Sequence, residues 1–398
     1  MQNKAIKKII FLWENWFSER DYKRFGISLL NENGFEVEIW DITPMLHPDF
    51  LQKNITWNLV DYKAPKVFYK RKVLYERLTG LCQSDFVVNL VSYSLDTIGI
   101  YNALSKSGVY YAVFTANSIP FLLKEDSTTY HLFSERVKKV LTMGPFKMLK
   151  RLLAELPFSM FKIKPARLLL AGGEKSVKCR YPIDDNTETL YIHTLDYDIY
   201  LAHKNETCDI KPIAVFLDEF YPFHPDFSMM KSRPPVKAAE YYCLLNNFFD
   251  LVEKNTGLEV IIAAHPRSHY ESMPDYFKGR KYVKGQTVNL VKECQLVLSH
   301  FSTAANFANL FCKPVTFLTC NDIDKSDQGS YIRAKAQLFG KKPIFMDMES
   351  NIDWKFELTV SEEHYKRYRI SYIKTQASQD LPFWQIFSER IKRGFNGR

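Results

Sequence analysis

The sequence predicts two doubly wound α/β domains facing across a cleft. Three observations predict it. Short apolar runs alternate with segments of helical spacing along most of the chain. The alternation stops at a polar stretch near the middle and then restarts. The runs end in polar residues, as strand ends bordering a cleft do. A chain of 398 residues has room for two domains of ordinary size.

The first half opens strand–helix–strand. Ile9-Ile10-Phe11-Leu12-Trp13 reads as a buried strand, residues 18–32 as one helix stopping at Gly34, and Phe35 to Trp40 as an alternating strand. A second unit follows: strand 85–90, helix 95–107, strand 109–114. Residues 136–167 are basic, with Glu155 the only acid. A basic amphipathic segment of this kind suits peripheral contact with an anionic membrane, or plain packing over the sheet. Ala166 to Ala171 and Thr189 to Thr194 read as further strands, the first ending in a Gly172-Gly173 turn. The polar stretch His203 to Lys211, ending at Pro212, reads as a linker. The predicted division is a first Rossmann-like domain over 1–205 and a second over 206–375. A C-terminal helix over 376–398 is expected to cross back to the first domain.

The second half repeats the pattern. Strand 213–217, helix 235–256 before Gly257, strand 259–264, strand 282–283, helix 287–293, strand 295–298, helix 303–311 and strand 315–318 make a second Rossmann-like unit.

Composition is that of a globular protein, 46% hydrophobic and 25% charged, with 30 Phe and 23 Tyr. The net charge of +9 suits an anionic partner without naming one. Seven scattered cysteines, with no CxxC or zinc spacing, point to a reducing compartment. Cys243, Cys294 and Cys312 read as core residues. No apolar run reaches the length of a membrane span, and Glu14 interrupts the first run too early for a signal peptide. A cytoplasmic protein is expected, at the inner face of the cytoplasmic membrane if the basic segment binds there. GxxxxGK[ST], GxGxxG and GxSxG are absent, which excludes a P-loop, nicotinamide-dinucleotide or nucleophile-elbow reading. No nucleic-acid-binding pattern appears.

Three constellations carry the chemistry. Ser299-His300-Phe301-Ser302-Thr303 stands where a strand meets a helix, and free N–H groups there suit a phosphate. N-capping alone would explain Ser302 but not its neighbours. His265-Pro266-Arg267 closes another strand of the same sheet, with a donor and a bidentate guanidinium for phosphate or ribose. The loop Asp218-Glu219-Phe220-Tyr221-Pro222-Phe223-His224-Pro225-Asp226 offers a general base. Asp218, Glu219, His224 and Asp226 are its candidates, with Glu219 favoured for access to the cleft. In the first half Glu14, Asn15 and Ser92 follow strands and are expected on the acceptor side; Asn117 and Ser118 follow a third strand. Asp196 and Asp198 read as a solvated turn rather than a metal site.

At these residues the chain resembles bacterial surface-polysaccharide glycosyltransferases of the GT-B type. It is most similar to those using CMP-activated acidic sugars, the polysialyltransferases and capsule Kdo transferases. The resemblance covers residues 211–320. It implies that His265-Pro266 contact the nucleotide, that Ser299, Ser302 and Thr303 hold the phosphate, and that Asp218 or Glu219 is the base. Phe220 stands where the polysialyltransferase acidic motif has glycine. CDP-glycerol polymer transferases share a similar histidine and serine arrangement. The implied activity is inverting, metal-independent sugar transfer from a nucleotide donor to a growing cell-surface glycan of the capsule or lipopolysaccharide kind. It needs no cofactor beyond the nucleotide-sugar co-substrate. Two other readings fit the same residues: a nucleotide-sugar epimerase, and a non-catalytic module binding an anionic glycan or nucleotide.

Overall fold

The computed structural model describes residues 5–15, 17–48, 65–118, 120, 156–177, 180–229, 232–348 and 351–395. Most of the basic stretch 136–167 lies outside them. Two parallel sheets organise the chain. The first has seven strands: β1 (Lys8–Trp13), β2 (Glu36–Asp41), β3 (Lys66–Val67), β4 (Asp85–Asn89), β5 (Tyr110–Phe114), β6 (Leu168–Ala171) and β7 (Glu188–Tyr191), in the order β3-β2-β1-β4-β5-β6-β7. The second has six: β8 (Ile213–Leu217), β9 (Glu259–Ala264), β10 (Tyr282–Lys284), β11 (Leu296–Ser299), β12 (Val315–Thr319) and β13 (Ile344–Phe345), in the order β10-β9-β8-β11-β12-β13. Both are Rossmann-like and doubly wound. In each the order reverses at one point, between β1 and β4 and between β8 and β11.

The strands are near-continuous apolar runs because both faces are covered. Alternate residues of the first sheet feed two cores, Phe11, Phe86 and Val88 on one face and Ile10, Leu12 and Val87 on the other. The second sheet packs into one core with the long helix Ala238–Thr256, which ends at Gly257 in the left-handed conformation.

Residues 18–32 do not form a single helix. They form Glu19–Arg24, capped by a reciprocal Ser18–Asp21 pair, and Ile27–Glu32, broken at Gly26 with φ 56°. A Cβ on Gly26 would lie 2.7 Å from the Trp384 ring, so the break makes room for that side chain. Trp384 belongs to the helix Phe383–Lys392, which buries Phe383, Trp384, Phe387 and Ile391 on the Phe11 face of the first sheet.

The chain reaches that helix by passing the Gly172-Gly173 turn. A Cβ on Gly173 would lie 2.3 Å from the Ser371 backbone, so only glycine lets the two segments pass. Asp196 and Asp198 sit in the first turn of the helix Leu195–His203, not in a solvated turn. Asp196 is buried and accepts from Arg24 Nη2 at 2.7 Å and Asn306 Nδ2 at 2.9 Å, which ties the two halves together. Cys294 is buried as expected; Cys243 and Cys312 are exposed, and Cys320 is also buried. Among the described residues no helix is long and apolar enough to cross a membrane.

Candidate functional site

In an open parallel sheet the crevice where strand order reverses, at the carboxyl edge, is the natural ligand site. The structure puts the sequence-predicted residues at both such crevices. Asp218 and Glu219 leave β8, His265 leaves β9, and Ser299 ends β11.

Asp218 is buried and fully engaged. Oδ1 accepts from the Phe220 N–H at 2.9 Å, and Oδ2 accepts from the His265 N–H and the Tyr270 hydroxyl, each at 3.0 Å. Burial lifts its carboxyl to about 6 against the pull of those donors. A base must reach an acceptor hydroxyl, and this group has no exposed lone pair to offer. Asp218 is a staple that fixes the exits of β8 and β9.

Glu219 differs. It is partly exposed, and Oε1 accepts from the Phe301 N–H at 2.8 Å. Burial raises its carboxyl to about 7, opposed by that N–H and by the Lys335 ammonium. Lys335 is buried, is pushed down to about 8 by burial, and donates to the Ser302 carbonyl. It escaped the sequence reading because it arrives from the distant helix Asp327–Leu338.

The serine stretch divides. Ser302 is partly exposed, its Oγ accepting from the Ala304 N–H at 3.3 Å, and Thr303 is exposed at the start of the short helix Ala305–Leu310. His300 must be reassigned. Its ring is buried, with Nε2 2.9 Å from the Tyr241 hydroxyl and Nδ1 2.7 Å from the Leu318 carbonyl. Both nitrogens are spent on the interior and burial pushes its pKa down to about 4, so it is a core residue and not a donor contact. Ser299 is also fully buried, although its Oγ has no hydrogen-bond partner.

His265 and Arg267 lie with His224 and Asp226 in one cluster. His265 Nδ1 accepts from the Arg267 N–H at 3.2 Å, which leaves the ring proton on Nε2. Burial, with His224 and Arg267 nearby, drives its pKa down to about 3 and keeps the ring neutral. The two imidazoles meet edge to face at 4.9 Å. Arg267 Nη1 is 3.4 Å from Asp226 Oδ1, and Pro266 is exposed at the turn between them.

Asp226 also faces the first domain. It joins Trp13, Glu14, Asn15, Phe25, His47, Leu90 and Ser92 around a cavity of about 420 Å³. This cavity sits at the β1/β4 reversal. Glu14 Oε2 accepts from the Ser92 N–H at 2.8 Å and its Oγ at 3.0 Å, and His47 Nε2 lies 3.5 Å from Glu14 Oε1. Glu14, Asn15 and Ser92 are therefore brought together, while Asn117 stands apart, accepting from the Leu195 N–H. The sequence reading missed Trp13, Phe25 and His47. His47 caps the short helix Thr43–Leu46 that follows β2, so the strand-end rule does not reach it.

Among the described residues the buried side-chain polar atoms without partners are Trp13 Nε1, Arg24 Nε, Thr43 Oγ1, His47 Nε2, Asn89 Nδ2, Ser118 Oγ, Thr194 Oγ1 and Ser299 Oγ, and Trp13 and His47 line the cavity. Such atoms are uncommon in folded interiors and mark places that water or a ligand completes. Among the described residues no cluster of three or more His, Cys, Asp or Glu is placed to hold a metal ion.

No protein-family model matches the chain, and no curated protein matches it. Among solved structures it is similar to Acinetobacter baumannii MurG at 8% identity, over 97% of this chain and 99% of that one, with a TM-score of 0.49. It is similar to the wall teichoic acid polymerase TagF at 11%, over 97% and 89%, with a TM-score of 0.49. It is also similar to the Methanocaldococcus jannaschii UDP-GlcNAc 2-epimerase, solved with UDP-GlcNAc and UDP, at 14%, over 97% and 99%, with a TM-score of 0.47.

Proposed function

We propose that the protein is an inverting glycosyltransferase of the GT-B arrangement, working without a metal ion. It moves a sugar from a nucleotide donor, a CMP-activated acidic sugar in the first instance, to a surface-glycan acceptor. The observation that carries this reading is the shared cavity. Asp226 of the second domain lines it together with Glu14, Asn15 and Ser92 of the first, which supports a space bordered by both halves.

The roles follow from the environments. The neutral His265 donates through Nε2–H to a ribose or phosphate oxygen, and Arg267 offsets phosphate charge as the nucleotide leaves. Ser302 and Thr303 add hydroxyl donors at the same edge. Glu219 takes the acceptor hydroxyl's proton as the new C–O bond forms and the bond to the nucleotide phosphate breaks. A carboxyl poised at about 7 is matched to proton transfer at neutral pH. Glu14, held by Ser92, accepts from the other hydroxyls of the acceptor.

The test is nucleotide release from CMP-sialic acid, CMP-Kdo, CDP-glycerol and UDP-N-acetylglucosamine, each with a mixed-glycan acceptor. Release from one donor is expected, falling about 10²–10⁴-fold in Glu219→Gln with donor binding retained. A larger loss in Glu14→Gln than in Glu219→Gln would move the base to the first domain. Conversion of a nucleotide sugar to its epimer without acceptor would favour the epimerase reading. Binding without turnover of any donor would leave a recognition module.

A further inference from the structure

The open edge of the first sheet carries a surface that the cleft chemistry does not use. β3 is the edge strand, and both its residues are exposed. The chain then runs through Phe68, Tyr69 and Lys70 into the helix Arg71–Thr79, whose inner side buries Leu74 and Leu78. Its outer side, with the strand, presents three large apolar side chains to solvent: Tyr69 at 67% exposure, Val73 at 46% and Val67 at 44%. Lys66, Lys70, Arg71, Lys72 and Arg77 are exposed around them, and Glu76 is the only acid between residues 65 and 80. Lys66 is shared with Glu38 at 2.8 Å, and Arg71 donates to the Asp96 carbonyl at 2.7 Å. Lys70, Lys72 and Arg77 have no carboxylate partner among the described residues. Lys66, Val67, Phe68, Tyr69, Lys70, Val73 and Arg77 border an open groove of about 430 Å³.

We infer that this edge is a docking surface for an anionic phospholipid bilayer. Two features select that partner. The cations attract an anionic surface, and long basic side chains can lay their stems along apolar neighbours while their heads stay at phosphate level. The exposed Tyr and Val side chains at the same face are costly in water and gain by entering the interfacial region, where tyrosine is favoured. A soluble polyanion would use the cations alone and leave those three side chains in water. The inference does not depend on the transferase reading, and it concerns residues separate from the basic stretch 136–167.

The test is co-sedimentation of the full chain with vesicles of phosphatidylcholine, with and without phosphatidylglycerol. The protein is expected to pellet with the mixed vesicles and not with phosphatidylcholine alone, and to be released by high salt. Lys70→Glu with Lys72→Glu is expected to weaken binding by about tenfold or more. Tyr69→Ser with Val73→Ser is expected to weaken it by about tenfold while leaving binding to heparin unchanged. All four side chains are exposed, so both variants should fold, which circular dichroism checks. Absence of vesicle binding by the wild type would overturn the inference. So would wild-type binding by both variants, which would assign the membrane contact to another surface. A Tyr69→Ser, Val73→Ser variant that binds vesicles normally while the charge variant loses vesicles and heparin alike would make the surface a polyanion site instead.

Discussion

Asp218 and Glu219 are adjacent in the chain and differ in what surrounds them. Asp218 satisfies two backbone N–H groups and one hydroxyl, so Asp218→Ala strands buried donors and is expected to cost about 2–4 kcal/mol of stability, read as a shift in the urea midpoint. Glu219→Gln keeps the shape and an acceptor for Phe301 N–H, and should leave that midpoint within about 1 kcal/mol. Both carboxyls hold their protons more tightly in the fold than in the unfolded chain, at about 6 and about 7. Between the ordinary carboxylate range and those values the folded state binds more protons. Stability is therefore expected to fall as pH rises from about 4 through about 7, and the fall should be shallower in Glu219→Gln. Transfer, which needs the ionised base, should rise over the upper part of the same window. A rate that falls as pH rises through 7 would remove Glu219 from the base role.

The residue types at the strand ends were legible in the sequence, but their facing was not. His300 and Ser302 are two positions apart beside the same strand, yet His300 turns inward because Tyr241, on another helix, and Leu318, on the next strand, supply partners for both ring nitrogens. Local spacing carries no information about either partner. Lys335 was invisible for the same reason.

At the scale of elements, the strands could be read because burial on both faces makes each an apolar run. The first crossover could not. Residues 18–32 have continuous helical spacing, and what breaks them at Gly26 is a tryptophan near the other end of the chain. Gly26→Ala is expected to destabilise the protein, since it combines a positive φ with a clash against Trp384. Trp384→Ala should cost about 3–5 kcal/mol by emptying the core under the first sheet. The double variant should lose less than the sum, because the alanine at 26 no longer meets the indole; strict additivity in thermal unfolding would mean the two residues do not share a contact.

At the scale of the molecule, the two parallel sheets were legible from the restart of strand–helix alternation after the polar stretch. How the halves meet was not, because it rests on long-range pairs. Asp196 holds Arg24 and Asn306, and Asp226 joins the wall of a first-domain cavity. On the proposed function that junction is the working face, with the nucleotide on the second sheet and the acceptor on the first. In that proposal His265 and Arg267 hold the nucleotide. Isothermal titration of CMP, CDP, UDP and GDP into the wild type, His265→Ala and Arg267→Ala tests it most directly. Selective binding of a cytidine nucleotide is expected, weakened about tenfold or more in each variant. Wild-type binding that neither variant changes, or no binding of any nucleotide by the folded protein, would contradict it.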